Sequence, residues 1–125
     1  RLIPEEHVKQ IKQEFQEIIQ TAMKEDKQLK AKMNVLMDFD AAITDHNASI
    51  CKIAQNAIEK IMKKRGKLRV FGAFTDLHFF VNIARCPAIG YGIEGDGIHG
   101  SNEYLSVRSL FDTSRVYAEI ALTIH

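Results

Sequence analysis

Apolar residues recur at every third or fourth position in three stretches of the chain, and this spacing predicts three amphipathic helices. The first helix is predicted over residues 4–24, where Pro4 suits the opening turn and the apolar positions run from Val8 to Met23. A helix with one apolar face usually packs on a sheet, and binding of that face to a partner helix is the alternative.

The second and third helices are predicted later in the chain. An almost unbroken apolar stripe runs from Ile50 to Met62, after candidate N-caps in Asp45-His-Asn47. It is followed by three cations and then Gly66, which suits a left-handed helix end. The third helix is predicted after residue 106, and its apolar face consists of Val107, Leu110, Tyr117, Ile120 and Ile124.

Between the first two helices the hydrophobic period changes from about four to two. Apolar residues alternate with mostly polar ones over residues 28–40, which predicts a long strand with one buried face in an antiparallel sheet. The residues predicted to face the core are Leu29, Ala31, Met33, Val35, Met37 and Phe39. The methionines among them are interpreted as core residues.

Three short segments after the second helix predict a parallel strand–helix–strand unit. Residues 68–71 and 86–91 are predicted as buried strands, and residues 77–84 as a short apolar helix between them. The sequence therefore predicts an α/β fold for this part of the chain. Because the pattern changes near residue 42, a domain boundary is predicted there.

Residues 91–104 hold four of the seven glycines, three acids and one histidine. They are predicted to form the loop that leaves the second buried strand and enters the third helix, at the sheet edge where α/β proteins bind ligands. His99 in this loop is interpreted either as a solvent-exposed or helix-capping residue or as a metal ligand. No HxxxH, HExxH or CxxC motif accompanies it, and one histidine cannot hold a metal alone.

Thr75 and Asp76 follow the first buried strand as His99 follows the second. If the two strands are parallel, their loops leave the same edge, and Asp76 could lie near His99. A carboxylate that accepts the imidazole N–H commonly supports a metal-bound histidine. The alternative role for Asp76 is an N-cap of the helix that begins at Leu77, and the two roles are compatible.

The composition is that of an ordinary globular domain, and it narrows the possible partners. A net charge of +1 and the absence of interleaved basic and aromatic residues argue against nucleic acid. No apolar run approaches the roughly 20 residues that a membrane span requires.

Cys51 and Cys86 stand without a disulfide framework, so we expect free thiols and a cytoplasmic protein. Because the chain begins at Arg1, directly before a helix, we expect it to be part of something longer.

Three elements occur in a fixed order: Gly72-Ala-x-Thr-Asp76, Pro87-Ala-Ile-x-Tyr-Gly92 and His99-Gly-x-Asn-Glu-Tyr104. Together they resemble the C-terminal part of the M20 family of di-zinc amidohydrolases, which includes desuccinylases, deacetylases, carboxypeptidases and dipeptidases. The opening Arg-Leu-Ile-Pro-Glu-Glu also resembles the end of that family's Asp-x-Arg strand and the helix after it. The resemblance spans essentially the whole chain.

The resemblance implies an α/β fold made of two partial domains. Residues 1–42 would be the end of an inserted α+β lid or dimerisation domain, with its final helix at about 4–24 and its final strand at about 28–40. Residues 43–125 would be the C-terminal part of a zinc-exopeptidase-like catalytic domain that contains the parallel strand–helix–strand unit. A homodimer is implied as well.

The resemblance also implies roles for particular residues. His99 matches the family's C-terminal metal ligand, Asn102 and Glu103 match the residues that fix its loop, and Asp76 matches the aspartate after the preceding strand. Arg1 matches the lid arginine that receives the substrate carboxylate, a role suited to a bidentate guanidinium. No catalytic residue is assigned to this chain, because the general-base glutamate and the other ligands are expected in an N-terminal part outside it.

The implied activity is hydrolysis of the amide bond in N-acylated amino acids or small peptides, with two zinc ions, or cobalt or manganese, as cofactors. The isolated chain is expected to be inactive and to bind metal incompletely. The substrate class stays open, because Tyr91-Gly-Ile-Glu94 stands where the family often has Tyr-Gly-Pro-Gly. Likewise Ala73-Phe-Thr-Asp76 stands where desuccinylases tend to have Gly-Thr-Ser-Asp.

Two other interpretations remain. The chain could be a non-catalytic dimerisation or binding module of the α/β class, built on its amphipathic first helix and long strand. It could also be an unrelated small α/β domain in which His99 only caps a helix. Neither interpretation includes a nucleic-acid or membrane partner.

Overall fold

The computed structural model describes residues 2–124, in which helices predominate and the only sheet is a small antiparallel pair. In chain order the elements are α1 (Val8–Glu25), α2 (Ser49–Met62), the π-helix π1 (Phe79–Ile83), β1 (Gly95–Asp96), β2 (Tyr104–Leu105) and α3 (Val107–Thr123). The three helices predicted from apolar spacing are therefore confirmed. No helix in residues 2–124 is long and apolar enough to cross a bilayer.

The described part of the chain divides into two compact units. The first comprises the residues up to Ile43 together with Gly72–Cys86, and the second comprises Thr44–Phe71 and the residues from Pro87 onward. Each unit is described by itself below. The assignment of residues 1–42 to a lid domain and 43–125 to a catalytic domain stays a prediction.

Helix α1 belongs to the first unit and begins at Val8, four residues later than predicted. Its start is set from outside the helix, because the Asp40 carboxylate accepts the Val8 N–H at 2.9 Å. Lys12, one turn further along, forms an ion pair with Asp38. Pro4 lies in a turn before the helix instead of in its first turn.

Helix α2 belongs to the second unit and ends one turn earlier than the glycine suggested. Lys63, not Gly66, takes the left-handed conformation at its end, with φ 55°. The chain then turns back, and the Gln55 side-chain amide donates to the Gly66 carbonyl at 3.1 Å. A Cβ at Gly66 would lie 3.0 Å from the Ile58 side chain. Gly66 therefore serves close packing, and its predicted role as the stop residue is wrong.

Helices α2 and α3 pack on each other and form the core of the second unit. The α2 face is made of small side chains, which allow the helices to approach closely, and the buried apolar residues are Cys51, Ala54, Ala57 and Val116. The apolar face predicted for α3 is wrong. Thr113 and Val116 are the buried residues of α3, whereas Val107, Leu110, Tyr117 and Ile124 are exposed.

The strand predicted at 28–40 is wrong for this structure, since residues 29–40 belong to no helix or strand. Of the six apolar residues expected to face a core, only Met33 and Phe39 are partly buried. A strand is held by backbone hydrogen bonds to a neighbour, and an alternating sequence cannot supply that neighbour. Within residues 2–124 no segment pairs with this one.

The parallel strand–helix–strand unit is also not formed. Residues 68–71 and 86–91 belong to no strand, although the helix predicted at 77–84 is present as π1 and the turn before it. At Ala88 the Thr44 hydroxyl accepts the backbone N–H at 3.1 Å and donates to the carbonyl at 2.6 Å. That one side chain uses both backbone groups through which a neighbouring strand would pair with Ala88.

Candidate functional site

His99 lies near the tip of a β-hairpin in the second unit. The arms of the hairpin are β1 and β2, which pair antiparallel so that Gly95 faces Leu105. We refer to residues 95–105 as the His99 hairpin. The simple strand-to-helix loop predicted for this stretch is corrected, because the chain folds back on itself before α3 begins.

Backbone hydrogen bonds hold the tip of the His99 hairpin. The Gly100 N–H donates to the Gly97 carbonyl at 2.7 Å, and the Glu103 N–H donates to the Gly100 carbonyl at 3.3 Å. The Asp96 carboxylate accepts the Gly97 N–H at 2.7 Å. Gly97 has φ 73°, a conformation that glycine adopts at little cost. The tip is thus a sequence of tight turns with few free backbone torsions.

His99 itself has φ 65°, which is uncommon for a residue with a side chain. Such a conformation costs about 1–2 kcal/mol and persists only where the surrounding turns impose it. The imidazole is exposed, and within residues 2–124 it makes no hydrogen bond. Both ring nitrogens are therefore available to a ligand, which is what coordination of a metal by a neutral imidazole requires.

The donor set around His99 is incomplete in the part of the chain that the structure describes. Residues 2–124 contain no group of three or more histidine, cysteine, aspartate or glutamate side chains able to hold a metal ion. One imidazole fits a ligand role, but it cannot bind a divalent ion by itself with useful affinity. Any further ligands would have to come from another polypeptide segment.

The other predicted site residues lie in different places. Asn102 and Glu103 are on the His99 hairpin with exposed side chains, and Glu103 contributes to the tip through its backbone N–H. Their predicted role in fixing the loop through side chains stays a prediction. Asp76 belongs to the first unit and His99 to the second. Arg1 lies outside the described residues.

The residue that caps the short helix beginning at Leu77 is Thr75, the neighbour of Asp76. The Thr75 hydroxyl accepts the Leu77 N–H at 3.4 Å, while Asp76 uses its backbone carbonyl to accept the Phe79 N–H at 3.0 Å. The Asp76 side chain is exposed. In this structure the hydroxyl of Thr75, instead of the carboxylate of Asp76, starts the helical turn.

His78 follows this turn and was not singled out by the sequence. Its ring is only 3% exposed and lies against Phe39, Phe74 and Phe79, with ring centroids 4.0, 4.6 and 3.9 Å away. Nδ1 lies 3.0 Å from the Thr75 carbonyl, and Nε2 is buried with no partner among the described residues. The Nδ1 contact and the three rings hold the turn at Thr75 in place.

The attachment of the His99 hairpin to α3 was not predicted from the sequence. Ser106 caps α3 by accepting the Ser109 N–H at 3.2 Å, and its own N–H donates to the Glu94 carbonyl at 2.8 Å. Three hydroxyl side chains of α3 then contact the segment that enters β1. The only sequence signal was their spacing, with Ser109, Thr113 and Tyr117 each four residues apart.

Comparison with known proteins agrees with the family resemblance of the sequence. The family model described as peptidase family M20/M25/M40 matches residues 3–123. The chain is 28% identical over 110 residues to a succinyl-diaminopimelate desuccinylase of Pelagibacter ubique (strain HTCC1062). That alignment covers 88% of this chain and 28% of the relative, so the chain spans little more than a quarter of the relative's length. No solved structure matches it significantly. The chain belongs to peptidase family M20/M25/M40.

Proposed function

We propose that this chain supplies the C-terminal metal-ligand segment of a metal-dependent amidohydrolase, and that His99 is the ligand. The observation that carries the proposal is an exposed imidazole, held at φ 65° on a glycine-built hairpin, in a chain whose residues 3–123 match a peptidase family. Strained residues cluster at functional sites, so the backbone conformation of His99 motivates this functional hypothesis.

The substrate class proposed is an N-acylated amino acid or a small peptide, with an acyl group such as succinyl. Support for it comes from the name of the desuccinylase relative, which is only 28% identical. Arg1 would bind the substrate carboxylate, and Asp76, Asn102 and Glu103 would support the His99 imidazole and its hairpin. Two divalent ions, zinc or else cobalt or manganese, would when bound polarise the amide carbonyl and lower the pKa of a coordinated water.

This chain would contribute one metal ligand, His99, and the hairpin that positions it. The remaining ligands and a general base would come from polypeptide that corresponds to the rest of the relative's length. In this proposal residues 1–42 end a lid domain that also dimerises, and residues 43–125 complete a cytoplasmic catalytic domain. The 125 residues alone would be inactive.

The decisive experiment replaces the imidazole without disturbing the hairpin. His99→Asn is suited to this, because asparagine tolerates positive φ better than most residues. In the gene product that contains these residues, we expect the variant to lose bound zinc and to lower zinc-dependent hydrolysis of N-succinyl-diaminopimelate at least 100-fold. His46→Asn is the matched control, since His46 is also an exposed histidine, on another segment. Unchanged zinc content and activity in His99→Asn would overturn the proposal.

A second measurement concerns the 125 residues by themselves. We expect no zinc-dependent hydrolysis above that of a blank preparation, because one imidazole without a general base cannot activate water. Turnover by this chain alone that chelation abolishes would show that the donor set is complete without other polypeptide.

The alternative is a non-catalytic dimerisation or binding module. It is favoured by α1, on which Phe15 and Ile18 are more than half exposed although both are large and apolar. A chain that forms a stable dimer through α1, with the His99→Asn variant unchanged in every metal measurement, would support this alternative.

A further inference from the structure

Three hydroxyl groups on one face of α3 run alongside the segment that enters the His99 hairpin. This segment comprises residues 91–94, and each hydroxyl bonds to its backbone. The contacts are Ser109 Oγ accepting the Glu94 N–H at 2.8 Å, Thr113 Oγ1 donating to the Gly92 carbonyl at 3.5 Å, and Tyr117 Oη donating to the Tyr91 carbonyl at 2.5 Å. We refer to Ser109, Thr113 and Tyr117 as the hydroxyl stripe.

The spacing of the hydroxyl stripe matches the segment that it holds. Side chains at i, i+4 and i+8 of a helix lie on one face about 6 Å apart along the axis, since each residue rises 1.5 Å. Backbone groups one or two residues apart on an unpaired segment cover similar distances. The ring of Tyr91 also contacts that of Tyr117, with centroids 6.2 Å apart. The segment is therefore attached to α3 along its length.

The other arm of the hairpin is attached to the same helix. Strand β2 continues directly into Ser106, which caps α3 and donates its N–H to the Glu94 carbonyl. Helix α3 is in turn packed on α2, and its residues Thr113 and Val116 are buried. Both ends of the hairpin thus rest on one anchored helix, and the position of His99 depends on these bonds.

We propose that Ser109, Thr113 and Tyr117 are positioning residues, which hold the His99 hairpin in one place on α3 so that the imidazole can bind a metal ion without further ordering. That His99 is a metal ligand rests on the proposed function. A held ligand loses less conformational entropy when it binds than a mobile one does. The attachment of the hairpin to α3 stands on the contacts alone.

The test uses backbone amide hydrogen exchange in the 125-residue chain, measured at submicromolar concentration by mass spectrometry with fragmentation to single residues. The variants are Ser109→Ala, Thr113→Val and Tyr117→Phe, each of which removes one hydroxyl and little else. The matched controls are Ser114→Ala and Thr123→Val, whose hydroxyls donate at 2.8 Å to carbonyls within α3 itself. The amides of Gly100 and Glu103 report on the hairpin tip, and those of α2 report on the core.

We expect Ser109→Ala and Tyr117→Phe to speed exchange at Gly100 and Glu103 by roughly two- to tenfold, the effect of one net hydrogen bond. Thr113→Val should have a smaller effect, because its contact is long at 3.5 Å. Amides of α2 should change less than twofold, and the controls should leave both regions unchanged. Ser109→Thr, which keeps a hydroxyl, should restore slow exchange. Equal acceleration in the hairpin and in α2 would show that the hydroxyls only stabilise the fold, and no acceleration at the tip would overturn the proposal.

The two proposals fail in different ways. His99→Asn should leave exchange in the hairpin unchanged, because its ring makes no hydrogen bond within residues 2–124. If His99→Asn keeps its zinc while the hydroxyl-stripe variants loosen the hairpin, the proposed function is wrong and the positioning role stands. If His99→Asn loses zinc and the hydroxyl-stripe variants exchange like the unmodified chain, the positioning role is wrong instead.

Discussion

Gly95 lies so close to the opposite arm of the His99 hairpin that no side chain fits there. A Cβ at this position would lie 2.4 Å from the Tyr104 carbonyl oxygen, which is a backbone atom and cannot rotate away. We expect Gly95→Ala to separate β1 from β2 and to lower the free energy of unfolding by about 1–3 kcal/mol. Urea denaturation followed by helical circular dichroism measures the loss, and amide exchange at Gly100 locates it.

The chain offers a matched control three residues earlier. A Cβ at Gly92 would meet nothing within 4 Å, and Gly92 does not have positive φ. Gly92→Ala should therefore be neutral or should stabilise the fold by about 0.4–1 kcal/mol, because alanine restricts the unfolded chain. Equal stability of the two alanine variants would contradict the importance of the close contact at Gly95.

Thr44 is a second residue whose effect follows from one contact. Its hydroxyl satisfies both the N–H and the carbonyl of Ala88, at 3.1 and 2.6 Å. Thr44→Val keeps the shape but leaves both partly buried groups without that partner, so unfolding should become easier by about 1–3 kcal/mol. Thr44→Ser keeps the hydroxyl and should recover most of the loss in the same urea titration. A valine variant as stable as the unmodified chain would show that solvent satisfies Ala88 equally well.

At the scale of elements, the helices could be predicted from the sequence and the strands could not. An amphipathic helix is specified by residues within its own length, as the apolar spacing of α1 and α2 shows. The segment at 28–40 has an equally regular period of two, but pairing depends on a neighbour that its sequence does not encode. The buried face of α3 was also missed, because the structure buries Thr113 and Val116 and leaves the larger Leu110 exposed.

For the candidate site, too, one part could be predicted from the sequence and another could not. The glycine-rich stretch predicted a loop that displays His99, and the structure has a β-hairpin there with positive φ at Gly97 and His99. The attachment of that segment to α3 was not predicted, because hydroxyl residues in a helix are usually solvent-exposed or bonded to their own helix. Only the fold brings Ser109 and Tyr117 beside residues 91–94.

The α2–α3 pair gives a prediction about whole elements. Ala54 is 2% exposed, and the approach of the two helices depends on its small size. Ala54→Met should force the helices apart and lower the free energy of unfolding by about 1–3 kcal/mol. Asn56→Met places the same side chain on the exposed side of α2 and should be nearly neutral in the same measurement. Equal effects of the two methionines would show that α2 and α3 are not closely packed.

The whole molecule exposes more surface than its mass explains. Its accessible area is 10496 Å², at a mass of 14.2 kDa. A folded monomer of this mass exposes about 6,800 Å², and even two separate folded proteins of half the mass would together expose about 8,200 Å². The excess of about 2,000 Å² or more is comparable to a standard protein–protein interface. Large apolar side chains contribute to the exposed area, and among them Leu36 is 97% exposed and Val70 is 79% exposed.

We therefore expect the 125 residues alone to self-associate at micromolar concentrations, because burial of exposed large apolar side chains stabilises association by about 1.5–3 kcal/mol for each one. Sedimentation velocity over a concentration series should show species larger than 14.2 kDa. The double variant Leu36→Lys, Val70→Lys should raise the dissociation constant at least tenfold. The double variant Gln16→Lys, Gln28→Lys adds the same charge at exposed polar positions and should have little effect. A chain that stays monomeric throughout would show that these apolar side chains do not drive association between copies.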